Sequence, residues 1–119
     1  MTIIKQMDSI KTDNLNKLDL IQGLKPGWNG NDTPAFTDSV IKKVHRIIEK
    51  IIIQPELFPT ALGAIQLEYD NSRCDHMEIE INDSDVAEIF TVKYSGEDSF
   101  ESIPATPEAI NKKVGEFYK

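Results

Sequence analysis

Apolar and polar residues alternate strictly along two stretches near the middle of the chain, Ile65-Gln66-Leu67-Glu68-Tyr69 and His76-Met77-Glu78-Ile79-Glu80-Ile81. Successive side chains of a strand point to opposite faces. The alternation therefore predicts a β-hairpin with Ile65, Leu67, Tyr69, Met77, Ile79 and Ile81 on a core face. Gln66, Glu68, His76, Glu78 and Glu80 fall on a wet face. Two registers keep the core face intact. A three-residue loop sets Glu68 opposite His76 and Gln66 opposite Glu78, and a five-residue loop sets Glu68 opposite Glu78. Unlike partners across strands stabilise and like charges oppose, and Arg73 suits a left-handed loop position poorly. The first register is favoured.

Helical periods flank this hairpin. Leu15, Leu18 and Ile21 recur every third residue over Asp13 to Gln22, with Leu20 and Leu24 beside them. Thr12 or Asp13 can cap the start, and Gly23 can end the helix in a left-handed conformation. Ile3, Ile4, Met7 and Ile10 either extend this helix backward or form a separate arm. Lys25 to Pro34 holds two prolines, two glycines and the only tryptophan, and reads as a loop. Val40, Ile41, Val44, Ile47, Ile48, Ile51 and Ile52 then follow a 3.6-residue period. Thr37 caps that second helix, Phe36 and Ile41 staple it, and Pro55 stops it. Its opposite face carries Lys42, Arg46 and Lys50, a solvated stripe.

Pro55 to Thr60 reads as a connection, with Leu57 and Phe58 tucked against the core. Asn82 to Asp85 is a polar turn. Val86 to Tyr94 predicts a strand with Phe90, Val92 and Tyr94 toward the core. Glu88 breaks that phase, either where the face opens to water or at a bulge. A turn at Ser95 to Asp98 leads to a short strand over Ser99 to Ile103. The last helix runs from Pro107 to Phe117, capped by Thr106, with Ile110, Val114 and Phe117 as its stripe. The order ααββββα predicts an α+β, two-layer sandwich: an antiparallel β-meander of three to four strands with helices on one face. Residues 1–119 form one domain.

Charge narrows the partners. A formal net charge of −7 argues against nucleic-acid binding, which draws on clustered Lys and Arg, and allows a basic protein partner or an acidic decoy that mimics nucleic acid. The single cysteine, Cys74, excludes an intramolecular disulfide and every multi-cysteine metal motif. That fits a reducing cytoplasm. No apolar run approaches the ~20 residues that span a bilayer, and the first residues lack the apolar segment of a secretory signal. A homodimer is compatible with the sequence.

The candidate partner surface comprises Glu68, His76, Glu78 and Glu80 on the wet sheet face, with Trp28 and Asn29 from the Pro/Gly loop. Three carboxylates and an imidazole could also hold a divalent cation, which makes a metal-assisted hydrolase the enzymatic alternative. A flat sheet supplies no water-excluding cleft, so neither a metal, a cofactor nor a catalytic residue is expected. Cys74, two residues before His76, lacks a third orienting group for nucleophilic work. Trp28 serves either as a lid over the helix–sheet seam or as an aromatic anchor, and a small-ligand pocket beneath its loop is a further alternative.

Leu24-Lys25-Pro26-Gly27-Trp28-Asn29-Gly30, then Pro59-Thr60, Gly63-Ala64-Ile65-Gln66-Leu67-Glu68-Tyr69 and Met77-Glu78-Ile79-Glu80-Ile81 succeed one another along the chain. In this order they resemble a family of small, functionally uncharacterised bacterial proteins. That family has a Gly-Trp-Asp-Gly-type loop and a Gly-Gly-Ile-Gln-Leu-Glu-Trp-type strand. The likeness covers roughly residues 15–90. It departs from the pattern at Asn29, Ala64 and Tyr69. The resemblance implies one fold unit and carries no activity. The expected function is that of a small acidic non-enzymatic interaction protein, of the antitoxin, immunity or anti-defence kind, that uses its sheet face.

Overall fold

The computed structural model describes residues 2–119, with side-chain environments from Ser9 onward. Three helices and five strands follow in the order α1 (Thr2–Gln22), α2 (Asp38–Lys50), β1 (Glu56–Pro59), β2 (Ile65–Asp70), β3 (His76–Ile81), β4 (Val86–Val92), β5 (Asp98–Pro104) and α3 (Pro107–Phe117). The strands make one antiparallel sheet in chain order. Their buried residues Leu57, Ile65, Leu67, Tyr69, Met77, Ile79, Ile81, Ala87 and Ile89 are all odd-numbered and share one face. That face joins Leu18 and Ile21 of α1, Val40, Ile41, Val44, Ile47 and Ile48 of α2, and Ile110, Val114 and Phe117 of α3 in one hydrophobic cluster. The helices therefore cover one face of the sheet. The α+β class is as expected, with one strand more.

The added strand is β1, where a connection was expected. Leu57 is buried opposite Leu67, while Pro55 and Pro59 bracket the strand. Proline is tolerated at a sheet edge because no ladder hydrogen bond is needed on the open side. α1 extends backward to Thr2, so Thr12 and Asp13 lie inside the helix and cap nothing; the side chains of residues 2–8 lie outside those described. Gly23 is not left-handed, and its N–H donates to the carbonyls of Asp19 and Leu20. Burial holds α1 to the body instead: Asn14 donates to the Pro55 carbonyl and to Gln54 Oε1, each at 3.0 Å.

Thr37 caps α2 as expected, accepting from the Val40 N–H at 3.2 Å. The helix ends at Lys50, well before Pro55. Ile51 turns to extended backbone, and the Ile52 N–H is taken by Asn111 Oδ1 of α3 at 2.9 Å. Ile52 consequently leaves the apolar stripe and is 68% exposed. Thr106 caps α3 and Pro107 opens it, as the sequence indicates.

Two further expectations are corrected. The β2–β3 register sets Glu68 opposite Glu78, Gln66 opposite Glu80 and Asp70 opposite His76, not Glu68 opposite His76. In β4 the core-facing residues are Ala87 and Ile89; Phe90 lies on the other face against Phe100, ring centroids 4.7 Å apart, and Tyr94 is exposed. Glu88 is in phase, opposite Glu80 and Ser102, with no bulge.

Three of the hairpins close by the same device. The N–H of residue i donates to the carbonyl of i+4, and the N–H of i+3 returns to the carbonyl of i: Thr60 with Ala64 and Gly63, Asn71 with Asp75 and Cys74, Lys93 with Glu97 and Gly96. The i+3 residue must be left-handed, and φ is +78° at Gly63, +64° at Cys74 and +94° at Gly96. Two loops use glycine; the central one uses cysteine. Asn71 compensates locally, its Oδ1 accepting from the N–H groups of Arg73 (3.0 Å) and Asp75 (3.1 Å). Arg73 then donates to the Phe117 and Lys119 carbonyls at 2.8 and 2.7 Å, placing a cation on the C-terminal end of α3. Arg73 is thus recruited for its guanidinium, and the left-handed position passes to Cys74.

A left-handed β-carbon is disfavoured, so Cys74→Gly should raise stability by about 0.5–1 kcal/mol and Gly96→Ala should lower it by about 1 kcal/mol. Denaturant midpoints check both, and opposite signs are expected. A β-carbon at Gly96 would meet open space, so its cost is one of backbone strain and not of collision.

Candidate functional site

The uncovered face of the sheet is a ladder of polar side chains. Across the strands one rung reads Glu56, Glu68, Glu78, Phe90, Phe100; the rung on one side reads Phe58, Gln66, Glu80, Glu88, Ser102; that on the other reads Asp70, His76, Val92, Asp98. Seven carboxylates and one imidazole occupy these positions, with no Lys or Arg among them.

Backbone pairing decides how closely the central groups approach. Asn71 and Asp75 form a hydrogen-bonded pair at the hairpin end, so the even-numbered pairs of β2 and β3 are the non-hydrogen-bonded ones, whose side chains lie closer. Glu68 and Glu78 therefore face each other at short range, an arrangement that costs energy unless a cation or donor intervenes. His76 is that group. Its Nδ1 lies 2.8 Å from Asp70 Oδ1, and its Nε2 lies 3.2 Å from Glu78 Oε2 and 3.7 Å from Glu68 Oε1. Gln66 Nε2 donates to the other Glu78 oxygen.

Partial burial pulls the His76 pKa down, but the hydrogen bonds and charges of Asp70 and Glu78 outweigh it and hold the imidazolium above its ordinary range. Partial burial and the Glu78 charge raise the Glu68 pKa, with His76 opposing. An imidazolium shared among three carboxylates cross-links the hairpin.

Of the residues expected at the site, the structure brings together Glu68, His76 and Glu78. Glu80 lies one rung beyond Glu78, away from His76 and opposite Gln66 and Glu88. Asp70 and Gln66 complete the cluster. Asp70 is absent from the expected set because Asp70-Asn71-Ser72 reads as loop, although Asp70 shares even parity with Glu68. Both His76 nitrogens already point at carboxylate oxygens, and among the described residues no three His, Cys, Asp or Glu side chains are arranged to hold a metal ion.

Trp28 and Asn29 are not part of this surface. Trp28 is half-buried against the core, its ring 6.1 Å from that of Phe36, on the helix side of the sheet. Its Nε1 is buried with no acceptor among the described residues. Asn29 is exposed, but its Oδ1 accepts from the Asn31 N–H (3.0 Å) and the Thr33 hydroxyl (3.1 Å), which shapes the loop.

No family model matches the chain, and no curated protein or solved structure matches it. No helix among the described residues is long and apolar enough to cross a membrane.

The electrostatics of the cluster set a pH dependence. A folded-state pKa above the unfolded one contributes stability that is complete below the unfolded value and is lost as pH rises through the folded value. For His76 the loss starts near the ordinary imidazole value of about 6.5 and continues upward. The melting temperature should therefore fall as pH rises above about 6.5, and His76→Gln should flatten that slope. Equal slopes in the two proteins would remove His76 as the cross-link.

Proposed function

We propose that this chain is a non-enzymatic interaction protein whose uncovered sheet face binds a basic protein partner. One observation carries the reading. All three helices pack on the odd-numbered face, which leaves the opposite face open and lined by Glu56, Glu68, Asp70, Glu78, Glu80, Glu88 and Asp98. Phe90 and Phe100 border the carboxylates, Phe100 being 78% exposed. An acidic field beside apolar area suits a surface that steers a cationic protein and then holds it by buried contact. The ladder is rigid, because His76 and Gln66 fix the central glutamates before any partner arrives; little side-chain entropy is then left to lose on binding.

Among the described residues, a group of basic side chains lies away from this face. Lys42, Arg46 and Lys50 stand on the exposed side of α2, and Lys43 donates to the Asn82 and Ser84 carbonyls of the β3–β4 turn. The charge is therefore divided between two sides of the domain, and the acidic one is the sheet.

Glu80→Lys with Glu88→Lys tests the surface without replacing any member of the His76 cluster, although Glu80 stands opposite Gln66. A partner captured from the lysate of source cells should associate with wild type at a rate that falls as salt is raised. The double variant should slow association by about tenfold or more and lose most of that salt dependence, with its melting temperature retained. Unchanged association kinetics would exclude the sheet face as the binding surface.

A further inference from the structure

We propose that the open edge of the sheet pairs with its counterpart in a second copy of this chain, β5 against β5 in antiparallel register with Phe100 opposite Phe100.

The two edges of the sheet differ. β1 has four residues, ends in a proline, and has Lys17 of α1 reaching to 4.8 Å above the ring of its Phe58. Short length, proline and lysine are the usual guards against edge pairing. β5 has seven residues in unbroken register with β4, contains no lysine, and places its only proline last. Its one inward-facing charge, Glu101, is neutralised by Lys113 of α3 at 2.9 Å. Every residue of β5 but Ile103 is exposed, so α3 does not cover the edge.

The ladder also fixes which groups are free. Lys93 donates to Glu97 at one end of the β4–β5 ladder and Ala105 donates to Asp85 at the other, at 2.8 Å each. Odd-numbered residues of β5 therefore bond to β4, and Asp98, Phe100 and Ser102 direct their N–H and C=O groups outward. Setting Phe100 opposite Phe100 aligns these three with Ser102, Phe100 and Asp98 of the second copy, and every one of them has a donor. Glu101 then faces Ser99. Shifting by one step in the next allowed register would put Pro104, which has no N–H, opposite Asp98, and Glu101 opposite Glu101. The favoured register also extends the Phe90–Phe100 pair across the two-fold axis, covering the most exposed phenylalanine with its own copy.

A net charge of −7 on each copy opposes association, so the dimer should tighten as salt is raised. That is the reverse of the salt effect on a basic partner, which keeps this inference and the acidic-face reading separately testable.

Sedimentation of the full chain over rising concentration, at low and high salt, should show a monomer–dimer equilibrium. Phe100→Lys should weaken it by at least about tenfold. Ser102→Pro, which removes an N–H that β4 does not use, should weaken it too, whereas Ser102→Ala, which removes only the hydroxyl that donates to Glu88 Oε2 at 2.7 Å, should leave the dimer intact. A chain that stays monomeric to its solubility limit overturns the proposal. So does a dimer that survives both Phe100→Lys and Ser102→Pro, or one that responds to the first and not to the second, because such association would not run through the strand edge.

Discussion

Closure of each hairpin between residues four apart is the constraint on which the sheet depends. Residues i and i+4 share a face, so a turn that joins them passes the parity of one strand to the next unchanged. Thr60/Ala64, Asn71/Asp75 and Lys93/Glu97 close this way by hydrogen bonds. The β3–β4 register, with Glu80 opposite Glu88, preserves the same parity. The result is a sheet whose buried residues, from Leu57 to Ala87 and Ile89, are all odd-numbered and meet the helices. One added or deleted turn residue would invert every strand that follows and turn its apolar side chains to water.

The same constraint makes the wet face what it is. Even parity gathers the carboxylates of five strands, Glu101 excepted, on one surface, and pairing at the β2–β3 hairpin brings Glu68 onto Glu78 at the closer type of ladder position. The repulsion is answered inside the cluster by His76 and Gln66, with Asp70 holding the far side of the imidazole. A charge arrangement that would weaken an isolated hairpin becomes a fixed acidic panel in this one. The opposing forces are linked to the core through Tyr69, which is buried in the same strand and donates to the Ile53 carbonyl at 2.7 Å.

Much of this is legible in the residues. The alternation of Ile65, Leu67, Tyr69, Met77, Ile79 and Ile81 names the core face, and the cap at Thr37 and the span Pro107–Phe117 are readable from local chemistry. The differences share a cause: a local signal does not carry parity through the adjoining turn. Phe90 and Val92, with Tyr94 just beyond the strand, form the more apolar row, yet odd parity carried across Asn82–Asp85 assigns the core to Ala87 and Ile89. β1 is hidden by Pro55 and Pro59, which only an edge position tolerates. The hairpin register turns on which residue of Ser72-Arg73-Cys74 becomes left-handed. That choice follows from Arg73 reaching the Phe117 carbonyl, a contact between residues 44 apart in the chain that no local pattern contains.

Interstrand contacts between α-protons test the register directly. In non-hydrogen-bonded antiparallel pairs the two α-protons face each other across the strands. Nuclear Overhauser spectra of the protein should therefore show Glu68 Hα to Glu78 Hα and Gln66 Hα to Glu80 Hα. Contacts from Glu68 Hα to His76 Hα and from Gln66 Hα to Glu78 Hα in their place would contradict it, and with it the carboxylate–imidazole cluster that the register builds.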